Sequence, residues 1–315
     1  MRKEAYFAAL TTSLIVTLTF GVNFFIACGF SSSTKVTIYF FDVGQGDSIL
    51  IDTAGKDMLI DGGPHRADRI ILYYLSQLNV SQIDVVVATH PDEDHIGGLI
   101  DVLNSSIVVD MVLYNNQTST TETYQDFIKL AKDKIVVANR SQVYVLDSNV
   151  NFTVLNPMQP LEFGNDENSN SIVLKLQVRN VSFLFTGDAT FKTEESMMNA
   201  GLNLESQVLK VAHHGSKYAT SDKFLDAVKP VYAVISAGKN NRYGHPHEET
   251  IQRLLNHNVT IYGTFASGTI KMSTDGQTIE VYGNPEPIPE YSSTILMLIL
   301  ILTALFYFAR NPEFT

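Results

Sequence analysis

The sequence predicts an α/β fold in which two mixed β-sheets pack face to face with helices on their outer faces, an αββα four-layer sandwich. Short runs of Val, Ile and Leu alternate along the chain with segments whose apolar residues recur at helical spacing. These strands and helices follow a similar order in two successive halves, which two mixed sheets with outer helices accommodate. No low-complexity segment or long linker interrupts residues 35–284, so we expect a single domain there.

The boundaries of the elements follow from the same periodicities. Strands are predicted at residues 35–41, 48–53, 57–61, 83–89, 108–114, 135–138, 151–155, 171–178, 182–186, 208–212, 231–236, 260–263 and 269–273. Helices are predicted at residues 66–78, 123–132, 190–201, 221–228 and 246–256, and a further helix is expected to begin at 98–105.

Two charge-free segments flank this domain, at residues 5–34 and 291–309. At 1.5 Å per residue, the second segment reaches roughly the 30 Å of a bilayer core. We expect residues 1–34 to be a signal peptide or an N-terminal membrane anchor with a short tether. Residues 285–315 are expected to contain a C-terminal transmembrane segment and a short tail.

The flanking charges predict an orientation in the membrane. Arg2 and Lys3 precede the first segment and Arg310 follows the second, which predicts cytoplasmic ends and a domain on the outer side. Cys28 is the one cysteine, so no disulfide forms within the chain. Residues 25–29 loosely resemble a lipobox, and the alternative is an ordinary apolar cysteine within a signal anchor.

The most informative stretch is residues 87–99, VATHPDEDHIGGL. An apolar strand leads into it, and His90, Asp92, Asp94 and His95 then fall within six positions. Two imidazoles and two carboxylates this close together are hard to keep deprotonated without a cation. A solvated acidic turn is the alternative for an isolated D-x-D, but the flanking histidines favour a metal site.

This stretch resembles the T-H-x-H-x-D-H signature of the metallo-β-lactamase superfamily, with Asp92 in place of the second histidine. The H-x-D-x-D-H variant is similar to the extracellular hydrolase domain of ComEC-type DNA-uptake proteins. Five further motifs occur in the order of that family, at residues 41–48, 61–63, 185–188, 211–216 and 243–247. The resemblance extends from about residue 35 to 282 and implies the four-layer fold.

The resemblance also implies a site for two divalent metal ions. His90 and Asp92 would bind the first metal, Asp94 and His95 the second, and Asp188 would bridge both. Asp188 has an alternative role as a helix N-cap. His213 and His214 end an apolar strand on which neighbours face opposite ways, so we expect one direct ligand. We expect this ligand to be His214, with His213 either on the substrate side or in a supporting position behind the ligands.

The first metal site is one ligand short in this sequence. The family usually supplies a further histidine about twenty residues before the bridging aspartate, where this chain has Asn168, a weak oxygen ligand. Ligands without thiolate suit zinc, manganese or iron. We expect Zn or Mn, and the shortage of imidazoles favours Mn.

Two such metals activate a hydroxide and stabilise the oxygens of an ester. Asp94 would orient the nucleophile, and His245 would protonate the leaving group or complete the second metal. An alternative places His245 in a helix-start turn before Pro246. The residues expected to face the substrate are Asn168, Ser171, His213, Ser216, Lys217 and Asn241.

Three classes of function fit these features. The first is an extracytoplasmic phosphodiesterase or nuclease, as the resemblance implies, with DNA among the substrates and a separate channel protein for any role in uptake. The formal net charge of −11 and the lack of a basic stripe count against an extended nucleic-acid surface. A small-ester hydrolase, acting on a phosphorylated head group, lactone or wall component, is the second. A non-catalytic, membrane-tethered binding protein is the third.

Overall fold

Two β-sheets form the centre of the protein in the computed structural model, which describes residues 35–66, 68–283 and 285–288. The strands are β1 Val36–Phe40, β2 Ile49–Asp52, β3 Asp57–Ile60, β4 Gln82–Ala88, β5 Val108–Tyr114, β6 Ile135–Val137, β7 Val143–Asp147, β8 Val150–Asn156, β9 Val173–Val178, β10 Val181–Phe185, β11 Val208–Lys210, β12 Tyr232–Ile235, β13 Thr260–Gly263, β14 Ile270–Thr274 and β15 Ile279–Tyr282. The α-helices are α1 Ile70–Gln77, α2 Glu93–Leu103, α3 Glu122–Ala131, α4 Phe191–Asn199, α5 Asp222–Val228, α6 Glu248–Asn256 and α7 Thr264–Ser267.

Both sheets are mixed. The first has the strand order β15-β14-β1-β2-β3-β4-β5-β6, and the second has the order β13-β12-β11-β10-β9-β8-β7. The run from β3 to β6 is parallel, as is the run from β10 to β13, and the other pairs are antiparallel. The carboxyl ends of parallel strands are where open α/β sheets bind ligands. The candidate site lies at these ends, after β4, β10 and β11.

Three apolar layers hold the sandwich together. The central layer contains side chains from both sheets, including Val87 of β4 and Phe183 of β10. On β4, Val86 points the other way and packs beneath α2, where Leu99 is fully buried. A third layer lies between the second sheet and its helices, with Leu209 among its members. Both faces of each sheet are therefore buried, and the predicted two-sheet sandwich is confirmed.

Several element boundaries differ from the prediction. The helix expected at 98–105 begins at Glu93, and the strand expected at 208–212 ends at Lys210. Strands β7 and β15 and helix α7 were not predicted. β7 is an edge strand that exposes Val143 and Val145, so its apolar residues do not follow the pattern of a buried face.

The predicted membrane segments at 1–34 and 291–309, including Cys28, lie outside the described residues. Within the part of the chain that the structure describes, no helix is both long and apolar enough to cross a bilayer.

Candidate metal centre

The histidine- and aspartate-rich stretch lies at the carboxyl end of β4 and continues into helix α2. Asp92 has extended backbone at the N-cap position, and its side chain forms no capping hydrogen bond. Asp94 and His95 fall in the first turn of α2. The two predicted groups of ligands are therefore presented from a loop and from a rigid helix start, and not from one turn.

Close packing explains why the Gly97-Gly98 pair lies inside helix α2 and does not mark its beginning. A Cβ on Gly98 would lie 2.0 Å from the carbonyl oxygen of Gly62, and one on Gly97 would lie 2.3 Å from the backbone nitrogen of His65. Only glycine lets α2 approach the loop after β3 this closely. The pair therefore serves helix packing, which fixes the first turn of α2 beside the strand ends.

His95 is fully buried and is held by a carboxylate on the side away from the cluster. Its Nδ1 lies 2.7 Å from Asp61 Oδ2, and its Nε2 lies 3.2 Å from Asp188 Oδ1. Asp61 is fixed in turn because it accepts hydrogen bonds from both the backbone nitrogen and the hydroxyl of Thr89. A carboxylate on one ring nitrogen of a histidine is the usual way to orient the other towards a metal.

His214 faces the same point from the second sheet. Its Nδ1 lies 2.9 Å from the carbonyl oxygen of Ser236, and its Nε2 lies 3.3 Å from Asp94 Oδ2 and 3.5 Å from Asp188 Oδ2. The chain enters a 3-10 turn at Ala212–Gly215, in which His213 and His214 have left-handed φ angles of 50° and 52°.

The strand argument for choosing between the two histidines is therefore wrong. They lie beyond the end of the strand, and His213 Nε2 also reaches Asp188 Oδ2, at 3.6 Å. Both imidazoles consequently face the same carboxylate. His214 is almost fully buried, whereas a quarter of the His213 side chain is exposed.

Asp188 is the central carboxylate of the cluster. In addition to these contacts, His90 Nε2 lies 4.0 Å from Asp188 Oδ2. The N-cap of α4 is Thr190, which forms a capping box with Thr193, so the alternative role of Asp188 as the cap is excluded. Asp188 lies between the imidazoles of both sheets, as expected for a bridging group.

The unpartnered polar atoms test whether these residues suit a metal. His90 Nε2, His95 Nε2, His214 Nε2 and Asp188 Oδ1 are all buried, and their contacts within the cluster do not have the geometry of hydrogen bonds. Buried polar groups in proteins are otherwise almost always paired. Imidazole nitrogens and carboxylate oxygens are the ligands of zinc, manganese and iron. The donor set therefore fits divalent metal.

Asp47 belongs to the cluster but was not among the predicted ligands. One atom each from Asp47, His95, Asp188 and His214 lie within 4.8 Å of one another. Asp47 Oδ1 is 3.3 Å from the Nδ1 of His214, and Asp47 Oδ2 is 2.7 Å from the buried Nζ of Lys210. Because it contacts the ring nitrogen that faces away from Asp94, we interpret Asp47 as a group that orients His214. Its position within the motif at residues 41–48 is the sequence signal that could have indicated Asp47.

The pKa values reflect the crowding of charge. Burial opposes protonation of His214, but Asp188 and Asp47 outweigh it and raise its pKa to about 10. His95 has a pKa raised well above its ordinary value, since Asp188 and Asp61 overcome the effect of its burial. In the metal-free protein these imidazoles carry the positive charge that a metal would replace.

His245 differs from these histidines. Burial, together with the charges of His214 and His213, lowers the pKa of His245 to about 4. It is therefore neutral at pH 7 and holds no extra proton for a leaving group. Its ring centroid lies 5.5 Å from that of His213, and its Nδ1 is buried and unpartnered. The geometry favours its second predicted role, as a further ligand. The N-cap of α6 is His247, so Pro246 does not begin the helix.

Most of the residues predicted to face the substrate have other contacts. Ser171 is fully buried and its hydroxyl accepts a hydrogen bond from the backbone of Asp188. Ser216 is buried too, and its carbonyl oxygen accepts from Thr250. Because both serines are buried and hydrogen-bonded within the fold, they are not accessible to a substrate. They support the loops that carry the proposed ligands.

Lys217, Asn241 and Asn168 differ in their positions. The ammonium of Lys217 lies over the ring of Tyr218, 5.5 Å from its centroid. Asn241 donates from its amide to the carbonyl oxygens of Gly238 and His245, so it ties the loop together. Asn168 has a buried and unpartnered Oδ1, which suits the weak oxygen ligand expected there.

A cavity of about 640 Å³ opens over Asp92 and Asp94. Its remaining lining residues are Val43, Gln45, Pro64, Arg66, Glu93, Asn241, Arg242 and Tyr243. Arg242 lies over the ring of Tyr243 at 4.8 Å and donates a hydrogen bond to its hydroxyl. The cavity therefore joins an acidic floor to a cationic and aromatic rim.

Comparison with known proteins identifies the class to which this chain belongs. The sequence profile of the metallo-beta-lactamase superfamily matches residues 41–239, and the chain is a member of that superfamily. The metallo hydrolase Igni18 from Ignicoccus hospitalis has a similar fold, with a TM-score of 0.51 at 16% identity over 76% of this chain and 98% of that one.

Within the superfamily, the chain is related to competence proteins of the ComEC type. It is 30% identical to ComE operon protein 3 of Bacillus subtilis over 76% of this chain and 33% of that protein. It is 34% identical to competence protein ComA of Neisseria gonorrhoeae over 76% of this chain and 32% of that protein. The chain thus matches about a third of the length of these relatives.

Proposed function

We propose that this protein is a metal-dependent phosphodiesterase with nuclease activity, and that its catalytic domain lies outside the cytoplasmic membrane. The observation that carries the proposal is the cavity that Arg242 lines together with Asp92 and Asp94. Guanidinium groups recognise phosphate oxygens, whereas a neutral carboxylic ester needs no cation at the rim.

Two divalent ions are proposed for the floor of this cavity. When bound, such ions lower the pKa of water and neutralise charge on the attacked phosphoryl group. His90 and Asp92 would hold one ion, and His95, His214 and Asp94 the other, with Asp188 between them. Asp94 also borders the cavity, so its carboxylate is positioned to orient the attacking water.

The rim would hold the substrate. Arg242 is presented from the loop that Asn241 ties to His245, and the half-exposed ring of Tyr243 lies beneath its guanidinium. Stacking on the ring limits the conformations of the side chain, so less entropy is lost when it binds an anion. Arg66 also lines the cavity, although its guanidinium is paired with Asp68 at 2.8 Å.

The location and the partners are part of the same proposal. The charge-free segments at 5–34 and 291–309 support attachment to the membrane, and their flanking charges support a domain on the outer side. The name of one relative, competence protein ComA, refers to competence. For any role in DNA uptake, we propose a separate channel protein as partner.

A second candidate is a hydrolase of a small phosphorylated ester. The cavity volume of about 640 Å³ lies within the range of small-molecule sites. The net charge of −11 also suits a small substrate better than a long polyanion.

An assay on the full-length chain with Mn²⁺ or Zn²⁺ tests the proposal. The substrates are single-stranded DNA, bis-p-nitrophenyl phosphate and a simple carboxylic ester. We expect cleavage of both phosphodiesters, and loss of it in Asp94→Ala. Cleavage of the small phosphodiester without DNA would favour the second candidate. Cleavage of the carboxylic ester alone would refute the proposal, and inactivity matched by Asp94→Ala would indicate a binding protein.

The contribution of Arg242 is tested separately. We expect Arg242→Ala to raise KM for the phosphodiesters about tenfold, the effect of one charged hydrogen bond, and to leave metal binding unchanged. Lys229→Ala is the matched control, because Lys229 is an exposed cation in the αL position after α5, on a different loop. Equal KM values for the two variants would remove Arg242 from the substrate site.

A further inference from the structure

Exposed aromatic side chains cluster around the candidate metal centre. The most exposed ones in the described part of the chain are those of Tyr73, Phe191, Tyr218 and Tyr243. Phe191 comes three residues after Asp188, and Tyr243 belongs to the cavity rim. Tyr218 comes four residues after His214 and is the most exposed of the set, at 63%. Apolar side chains exposed singly need no explanation, whereas a group of them beside one site indicates a binding surface.

Backbone hydrogen bonds join the segments that carry these rings. The backbone nitrogen of Phe191 donates to the carbonyl oxygen of Tyr218 at 3.2 Å, so two aromatic residues that follow different strands are neighbours. The backbone nitrogen of His247 donates to the carbonyl oxygen of Gly215 at 2.9 Å. The loop with Tyr218 is therefore attached directly to the loop that forms the cationic and aromatic rim of the cavity.

Two buried charged groups fix the loop that carries Tyr218. Arg253 of α6 donates to three of its carbonyl oxygens, those of Lys217, Ala219 and Thr220. Glu194 of α4 accepts hydrogen bonds from two of its backbone nitrogens. The backbone is thus held in place while the ring stays open to solvent. A tyrosine on a fixed backbone loses little conformational entropy on binding, because only two side-chain torsions remain free.

The surroundings of Tyr218 define the chemistry of the ligand that this ring suits. The ammonium of Lys217 lies 5.5 Å from the ring centroid. An aromatic ring beside a cation suits single-stranded nucleic acid, because a base stacks on the ring while the cation attracts the phosphates.

Tyr218 is also placed for a strand that extends beyond the cavity. It is not among the residues that line the cavity over Asp92 and Asp94. Four residues span at most about 14 Å, so the backbone of Tyr218 stays within that distance of His214. A small ester held inside the cavity would leave the ring free, whereas a nucleotide next to the attacked phosphate would lie on this side of the metals.

We propose that Tyr218 binds a base of a single-stranded nucleic acid beside the phosphate that is cleaved, with Lys217 next to the backbone of the strand. This inference rests on the proposed function and deepens it, because it names single strands as the preferred substrates. A duplex keeps its bases stacked and paired, so it presents a base face to the ring only after a base is extruded.

Cleavage kinetics of the full-length chain with Mn²⁺ test the proposal. The two substrates are an oligothymidylate and a strand of equal length whose sugars carry no bases. We expect the wild type to have a KM about tenfold lower for the oligothymidylate, the effect of stacking one base. Tyr218→Ala should lose most of this difference, and Tyr218→Phe should retain it because the ring is kept. Tyr73→Ala is the matched control, since Tyr73 is an exposed tyrosine on α1, which carries no proposed ligand.

The possible outcomes separate this inference from the proposed function. Equal KM values for the two strands in the wild type, or a difference that Tyr218→Ala keeps, would overturn the role of Tyr218 and leave the phosphodiesterase in place. An equal loss in Tyr218→Phe would overturn it too, because stacking does not need the hydroxyl. Cleavage of bis-p-nitrophenyl phosphate but of neither strand would overturn both the nuclease activity and this inference. A wild type that cleaves no phosphodiester would overturn the proposed function as a whole.

Discussion

Lys210 makes a buried ion pair behind the metal centre, and its removal should have a large and measurable cost. Its Nζ lies 2.7 Å from Asp47 Oδ2 and donates to the carbonyl oxygen of Val211. The two side chains are at most 2% exposed. Burial opposes the charge on Asp47, but Lys210 and His214 hold the pKa of that carboxyl well below its ordinary value.

The expected magnitude follows from the burial. Lys210→Met keeps the aliphatic stem but leaves the buried Asp47 with His214 as its remaining cationic partner, so we expect the lower end of the cost of breaking a buried ion pair, about 3 kcal/mol of unfolding free energy. Asp47→Asn leaves the buried ammonium of Lys210 without a carboxylate and should cost at least as much. The double variant removes both charges and should cost less than the sum of the two by about 2 kcal/mol or more.

Urea denaturation of the full-length, metal-free chain at pH 7 measures these costs. The control is Lys229→Met, since the Lys229–Glu205 pair is 3.9 Å long and more than half exposed at both ends. That substitution should change stability by less than about 0.5 kcal/mol. A cost below about 1 kcal/mol for Lys210→Met, or strict additivity in the double variant, would refute the reasoning.

Three further predictions follow from the same structure. Burial raises the pKa of Glu194 to about 7 from 4.5, so the folded state binds the proton more tightly and stability falls as pH rises between these values. Between pH 5 and pH 8, the unfolding free energy of Glu194→Gln should rise by up to about 3 kcal/mol relative to that of the wild type. Parallel pH profiles of the two proteins would contradict this. Gly98→Ala should destabilise the protein by about 2 kcal/mol and weaken Mn²⁺ binding, because the new Cβ would lie 2.0 Å from the carbonyl oxygen of Gly62. An increase in stability, as for Gly→Ala at an unobstructed helix position, would contradict this reasoning. Because His214 has a pKa of about 10, Mn²⁺ must displace its proton between pH 6 and 8, so affinity should rise up to about tenfold per pH unit for each proton released. Calorimetry in buffers of different ionisation enthalpy counts those protons, and finding none would exclude His214 as a ligand.

The sequence predicts best those site residues that are close together along the chain. His90, Asp92, Asp94 and His95 follow one buried strand, so the loop and helix start that present them are local features. The start of α2 was also encoded locally, since Asp at the N-cap position and acidic residues in the first turn are typical of a helix N-terminus. The Gly97-Gly98 pair obscured that signal, because its reason lies in packing against another loop.

Contacts between distant segments could not be predicted in the same way. Asp47 reaches His214 across the two sheets, and Asp61, directly after β3, reaches His95 at the start of α2. Neither contact has a periodicity that a sequence pattern could reveal. The positive φ angles of His213 and His214 are likewise imposed by the turn, and they invalidate the strand rule at those positions.

The acidic net charge is a poor guide to what the cavity binds, because much of it faces the proposed metals. Three carboxylates belong to the proposed ligand set: Asp92, Asp94 and Asp188. Two divalent ions would supply four positive charges, which takes the formal charge from −11 to −7 and offsets these carboxylates. Arg242 then dominates the field at the rim, where a focused local charge matters more than the sum over the chain. A rim with two arginines, one of them paired with Asp68, would contact few phosphates. Binding of DNA should therefore depend weakly on salt, unlike that of proteins that track the backbone over many nucleotides.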